Sequence, residues 1–190
     1  MINPIHDIDH VLLSEQQIDD IISRLADQIN HDYAPAASAI QPCKLIVVAV
    51  MKGSVFFYAD LIKKLTVPVE LDFVKVSSYY AGTRSSGQLK IHLDLKRDDY
   101  EKIDILLVED IVDSGRTLKA LSENLKGRGA HSVRTVTLLD KPSRREVDYV
   151  ADYIGAEIPD EFVVGYGLDF DEKYRDLAYI GVLKSDVYTK

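Results

Sequence analysis

Apolar positions follow two different periods along this chain, and their alternation predicts an α/β fold. Ile18, Ile21, Ile22, Leu25 and Ile29 recur at helical spacing, and Ser14 with Gln17 makes a capping-box pattern ahead of them, so the first helix is amphipathic. Three largely apolar runs, over 45–50, 103–108 and 133–139, are rich in Val, Ile and Leu. Runs this short and this β-branched read as strands buried on both faces. Helical patterns follow the first two, over 55–65 and from 116 to Lys126, with Gly127 and Gly129 as carboxyl caps. Between them, Val69, Leu71 and Phe73 alternate with Glu70, Asp72 and Val74, predicting a half-buried strand. Residues 77–88 have no apolar period and are rich in Gly and Ser, and 90–95 reads as the returning arm of a hairpin.

Strands alternating with helices predict a doubly wound, Rossmann-like parallel sheet. Past Pro142 the pattern breaks into short pieces rich in Tyr, Gly and Asp, which predicts a small irregular lobe. The expected organisation is one domain over residues 1–190, with a core over about 14–140 and a hood made of the remainder and the amino-terminal leader.

In open α/β sheets ligands bind outside the carboxyl ends of the strands, and that is where the polar clusters fall. The run 103–108 meets Glu109 and Asp110, expected where the strand emerges into solvent; Asp113 follows, and Ser114-Gly115-Arg116-Thr117 opens a helix. Such a turn aims backbone N–H groups and two hydroxyls at one spot, a cradle for a phosphate monoester. Gly115 allows close backbone approach. Carboxylates are poor phosphate ligands, so the acid pair suits vicinal hydroxyls or a hydrated Mg²⁺. A sugar phosphate satisfies both halves. Each feature alone also fits a solvated strand end and an ordinary helix cap. Lys52-Gly53 ends the first run and Asp140-Lys141-Pro142 the third; taken singly, a strand-end lysine is ordinarily solvated, and an aromatic such as Phe162 is ordinarily core.

Composition narrows the classes. A chain of 190 residues supports one domain with a substantial core. A formal net charge of -8 argues against a nucleic-acid surface. Cys43 is the single cysteine, leaving neither a disulfide framework nor a Cys-based metal site, which suits a reducing, cytoplasmic setting. The start lacks a basic segment followed by an apolar one, and no run is long enough to span a bilayer, so a soluble, unexported protein is expected. Neither a Gly-x-Gly-x-x-Gly nor a Walker A pattern occurs.

The ungapped order of apolar strand, two acids, two apolar residues, Asp, Ser-Gly, a variable residue and Thr resembles the phosphoribosyl-pyrophosphate (PRPP) motif of the type I phosphoribosyltransferases. Residues 162–169 and Tyr174-Arg175-Asp176 resemble the base-binding hood of the hypoxanthine-guanine branch, and the likeness runs from about Leu45 to Leu183. The resemblance implies that Glu109 and Asp110 hold the ribose hydroxyls, with Mg²⁺ bridging them to pyrophosphate. It makes Asp113 the catalytic base or acid at the purine N7, and puts the 5′-phosphate on Ser114, Gly115, Arg116 and Thr117. Lys141 would donate to the 6-oxo group, Phe162 stack on the ring, and the Val163 backbone meet its other edge. Asp169 would border the base and bind a second Mg²⁺. Lys52 and Gly53, on a cis backbone, would share the pyrophosphate with Arg175, and Ser78 with Tyr79 would belong to a catalytic lid.

The activity so implied is purine salvage: transfer of the phosphoribosyl group from PRPP to hypoxanthine or guanine, with IMP or GMP and pyrophosphate as products. Mg²⁺ is the implied cofactor, and a homodimer or homotetramer the implied assembly, with no nucleic-acid or membrane partner. Two other classes compete. A PRPP-fold regulator needs a basic face or an added DNA-binding domain, whereas one helix precedes the first strand here. A phosphoryl receiver wants its aspartate on a different strand from the acid pair and leaves Lys141 and Phe162 unexplained.

Overall fold

In the computed structural model, which describes residues 4–34, 43–78 and 89–189, the capping box at Ser14 is closed. The Ser14 hydroxyl accepts the Gln17 N–H, and the Gln17 side chain accepts the Ser14 N–H at 2.9 Å. In chain order the elements are α1 (Pro4–Asp7), β1 (Ile8–Leu13), α2 (Glu15–Asp32), β2 (Lys44–Val50), α3 (Val55–Lys64), β3 (Val69–Ser78), β4 (Leu89–Leu93), β5 (Ile103–Val112), α4 (Arg116–Gly127), β6 (Ser132–Asp140), β7 (Tyr153–Glu157), β8 (Val163–Val164), β9 (Ile180–Leu183) and α5 (Ser185–Tyr188).

The main sheet has six strands in the order β4-β3-β2-β5-β6-β7, all parallel except the antiparallel edge strand β4. This is the predicted doubly wound architecture. Alternate residues of the interior strands enter two cores. Leu45, Val47, Ala49, Leu106 and Val108 pack with α2 and α3, while Ile46, Val48, Ile105 and Leu107 pack with α4 through Leu118, Leu121 and Leu125. Apolar runs without alternation arise because both faces of these strands are covered.

Three local expectations are revised. β5 continues past Glu109 and Asp110 to Val112, because the ladder with β6 persists to the Val112–Asp140 pair; the acid pair is therefore within the strand and not in solvent. In β3 it is Val74 that is buried, under α4, while Leu71 and Phe73 are 50% and 39% exposed. Their face continues that of Val47 and Ala49, but β3 lies toward the sheet edge and α3 covers it only in part, its Tyr58 ring meeting Phe73 with centroids 5.4 Å apart. At the end of α4, Gly127 is the last helical residue and only Gly129, at φ +92°, takes the left-handed conformation of a carboxyl cap.

Beyond Pro142 the chain first returns to the main sheet as β7 beside β6. It then builds a second, three-stranded antiparallel sheet, β1-β9-β8, in which the amino-terminal strand pairs with β9 from the other end of the chain. No helix among the described residues is long and apolar enough to cross a membrane.

The two sheets meet where Gly167 lies on the turn after β2. A Cβ at Gly167, whose φ is +102°, would stand 1.9 Å from the Gly53 carbonyl oxygen. Gly167→Ala is therefore expected to cost about 2–5 kcal/mol through backbone strain and overpacking. Chemical denaturation checks this; an unchanged midpoint would mean that this contact does not join the sheets.

Candidate active site

The carboxyl ends of β2, β5 and β6 form one rim. The Lys141 N–H donates to the Val112 carbonyl at 2.9 Å and the Met51 N–H to the Val74 carbonyl at 2.8 Å, so the segments leaving the strands stay in register. Gly53 sits beside the acid pair: a Cβ there would fall 1.6 Å from Asp110 Oδ2. The Met51–Lys52 peptide preceding it is cis.

Glu109 and Asp110 hydrogen-bond to each other within the protein. Burial and the adjacent Asp110 carboxylate push the Glu109 carboxyl well above its ordinary range. Burial also raises Asp110, against the hydrogen bonds it accepts from Glu109 and from the Ile111 N–H at 2.8 Å. Two like charges this close in a low dielectric disfavour each other's ionisation, which is why both carboxyls are raised. Glu109 Oε2 is buried with no partner, an acceptor that a hydroxyl or a cation fits.

Next to it, Glu109, Asp113, Ser114, Gly115 and Thr117 help line a cavity of about 130 Å³. Gly115 caps α4 at φ +78°, where a Cβ would stand 3.0 Å from Arg145 Cδ. The backbone N–H groups of a helix start point outward along its axis, so the first turn of α4 suits an anion at this spot. Asp113 is exposed at the lip, with Oδ1 3.3 Å from Arg144 Nε. The Arg116 side chain turns away to pair with Glu146, so only its backbone faces the turn.

Two residues that the pattern reading gave no role organise this rim. The Arg145 guanidinium donates to the Asp113 carbonyl and pairs with the buried Asp140 carboxylate, joining the loop after β5 to the end of β6. The one sequence signal for it is basic residues just after the Asp-Lys-Pro stop. Tyr188 of α5 is the other. Its ring stacks on Phe162 with centroids 4.8 Å apart and planes at 21°, while Phe170 meets Phe162 edge-on at 5.7 Å.

The remaining expected residues fall in two groups. Lys141 is buried, and its ammonium donates to the Glu161 carbonyl at 2.6 Å; burial lowers its pKa. Phe162 follows in the chain, 38% exposed, and Val163 is held in the hood by pairing with Val182. The second group is ionic. Arg175 donates to the Gly167 carbonyl at 2.7 Å and pairs with Asp169 at 2.8 Å, its Nε being buried without a partner. Lys52 pairs with Glu172 at 3.0 Å, and Glu172 lies 3.4 Å from Arg175. Ser78 ends β3, while its side chain, Tyr79 and the expected lid up to Gln88 lie outside the described residues.

Known proteins resemble this chain in sequence and in fold. The phosphoribosyl transferase domain family matches residues 11–171. The hypoxanthine-guanine phosphoribosyltransferase of Staphylococcus epidermidis is 47% identical over 184 residues, covering 97% of this chain and 98% of that protein; that of Staphylococcus aureus is 46% identical with the same coverage. A crystal structure of a Staphylococcus aureus hypoxanthine phosphoribosyltransferase superposes with a TM-score of 0.89 at 46% identity, over 100% of both chains. The Trypanosoma cruzi hypoxanthine phosphoribosyltransferase, in a ternary complex with substrates, gives 0.87 at 41% identity, over 95% of this chain and 98% of that one. With the acid pair, the turn into α4 and Lys141 on one rim, and with identity of this extent across nearly the whole chain, the protein belongs to the type I phosphoribosyltransferase family, in its hypoxanthine-guanine branch.

Proposed function

We propose that this enzyme transfers the 5-phosphoribosyl group from PRPP to hypoxanthine or guanine, releasing pyrophosphate and forming IMP or GMP. The observation that carries the reading is the run from Glu109 to Thr117, which puts a residue with a buried orphan carboxyl oxygen and a helix-start turn in the lining of one small cavity. The names of the relatives support the same substrates.

In this reading the 5′-phosphate lies on the first turn of α4, at Ser114 to Thr117, and the ribose hydroxyls donate to Glu109 and Asp110. Lys52, the Gly53 backbone and Arg175 face the pyrophosphate, and their present partners Glu172 and Asp169 give way to it. The purine stacks on Phe162, with Lys141 at its 6-oxo group, the Val163 backbone at its far edge, and Asp113 holding or taking the proton at N7. Displacement at C1 builds oxocarbenium-like charge, so positioned carboxylates and the exclusion of water by a lid containing Ser78 and Tyr79 favour it. Glu109, Asp110 and Asp169 are oxygen donors suited to Mg²⁺, which when bound neutralises the departing pyrophosphate.

Initial rates with PRPP, Mg²⁺ and each purine separately test the proposal. Product with hypoxanthine or guanine but not adenine is expected, and no turnover with any 6-oxopurine would overturn it. We further propose a cytoplasmic homodimer or homotetramer. Leu71, Phe73 and Leu93, which share one face at the β3–β4 edge, are 50%, 39% and 46% exposed, an apolar surface that self-association would cover.

Tyr188 supplies a finer check. It occupies one face of Phe162 and so orients that ring for a base on the other. An aromatic pair contributes about 0.5–1.5 kcal/mol beyond its buried area, so Tyr188→Ala should raise KM for the purine roughly 2- to 12-fold. KM for PRPP should hold, and Tyr188→Phe should behave as the parent. A lowered purine KM would instead mean that Tyr188 occupies the base position.

A further inference from the structure

At the opposite end of the main sheet three unlike ligand side chains converge. Cys43 precedes β2, Asp104 is the second residue of β5, and His131 immediately precedes β6. Register makes them neighbours: Leu45 is opposite Asp104, and Asp104 is opposite Ser132. One thiol sulfur, one carboxylate oxygen and one imidazole nitrogen all lie within 4.8 Å of one another. Asp104 is held in place, accepting hydrogen bonds from the Ser132 hydroxyl and from His131 Nδ1, the latter at 2.8 Å.

We propose that Cys43, Asp104 and His131 bind a soft divalent cation of the zinc type. Zinc–ligand bonds of about 2.0–2.3 Å put tetrahedral ligand atoms roughly 3.2–3.8 Å apart, so small side-chain rotations complete the set. A single cysteine argues against a thiolate-rich site but not against this mixed one. Thiolate and imidazole select zinc or cobalt over magnesium, which prefers oxygen alone. A carboxylate packed against a thiol is unfavourable while the thiol ionises, and a cation between them removes that conflict. The Ser132 hydroxyl steadies Asp104 as outer partners of metal ligands do. A cavity of about 490 Å³, lined by Tyr33, Cys43, Lys44 and Asp104 among others, opens beside the set and leaves room for a water or a further ligand on the ion. The buried Tyr33 hydroxyl, which has no partner, belongs to the same cavity wall.

Cobalt(II) titration of the whole chain, with excess Mg²⁺ occupying the all-oxygen sites, tests this. One equivalent should develop the near-ultraviolet thiolate-to-cobalt charge-transfer band, and Zn²⁺ should erase it. Cys43→Ser should lose the band, while Asp104→Asn and His131→Ala should each weaken cobalt binding about ten-fold or more. Circular dichroism of each variant reports whether the fold is kept. The absence of a band in the unaltered protein overturns the proposal. So does a band that survives in Cys43→Ser, or cobalt affinity in both His131→Ala and Asp104→Asn equal to that of the unaltered protein, which would leave a lone thiol binding the metal.

Discussion

Asp113→Asn is expected to lower kcat by about 10²–10⁴-fold, the range for losing a general acid or base, while PRPP affinity stays near that of the parent. Asparagine has the shape of aspartate, so the turn into α4 and the contact of the Asp113 carbonyl with Arg145 are kept. What is lost is a carboxylate able to hold a proton at the purine nitrogen. The carboxylate is free to do this. Arg144, 3.3 Å away, is itself exposed, and such surface pairs are worth only about 0–1 kcal/mol. Single-turnover rates and PRPP binding measured on the same variant separate chemistry from affinity. Unchanged turnover would reduce Asp113 to a residue that shapes the helix start.

Lys141→Ala is expected to cut kcat/KM for hypoxanthine or guanine by roughly 10- to 150-fold, since a hydrogen bond to a charged group contributes about 1.5–3 kcal/mol. Lys141 is not a solvated strand-end lysine. It is buried, and one of its protons is committed to the Glu161 carbonyl at 2.6 Å. That bond aims the ammonium and leaves further protons to donate. An ammonium can only donate, so it matches the 6-oxo acceptor of hypoxanthine and opposes the amino donor of adenine. Adenine should therefore gain relative to hypoxanthine in the variant, even at a low absolute rate. KM for PRPP should hardly move. If the hypoxanthine-to-adenine ratio stays unaltered, base choice resides elsewhere in the hood.

The local parts of this protein could be read from its residues in order. Ser14 and Gln17 form a capping box because both partners lie within one helical turn. The runs at 45–50, 103–108 and 133–139 become strands covered on both faces, and the doubly wound sheet follows from their alternation with helices. The turn into α4 was equally legible, since residues 114–117 are contiguous and the left-handed Gly115 is a requirement of the backbone itself.

What depends on residues far apart in the chain was not legible. The partial exposure of Leu71 and Phe73 is decided by how far α3 reaches across the sheet, its Tyr58 ring meeting Phe73, which no alternation within 69–76 encodes. Glu109 and Asp110 look like a solvated strand end in sequence. They are buried because β6 continues the ladder on one side and the Gly53 turn closes over Asp110 on the other, and burial is what raises both carboxyls above their ordinary range. Arg145 and Tyr188 acquire meaning only through partners brought together by folding, Asp113 with Asp140 and Phe162 respectively. Sequence by itself determined the elements and the chemistry written in adjacent residues, because backbone propensity and strand burial act over a few residues at a time. The tertiary structure alone decided which charges are desolvated and which rings stack, because desolvation and packing depend on everything within a few ångströms, whatever its distance along the chain.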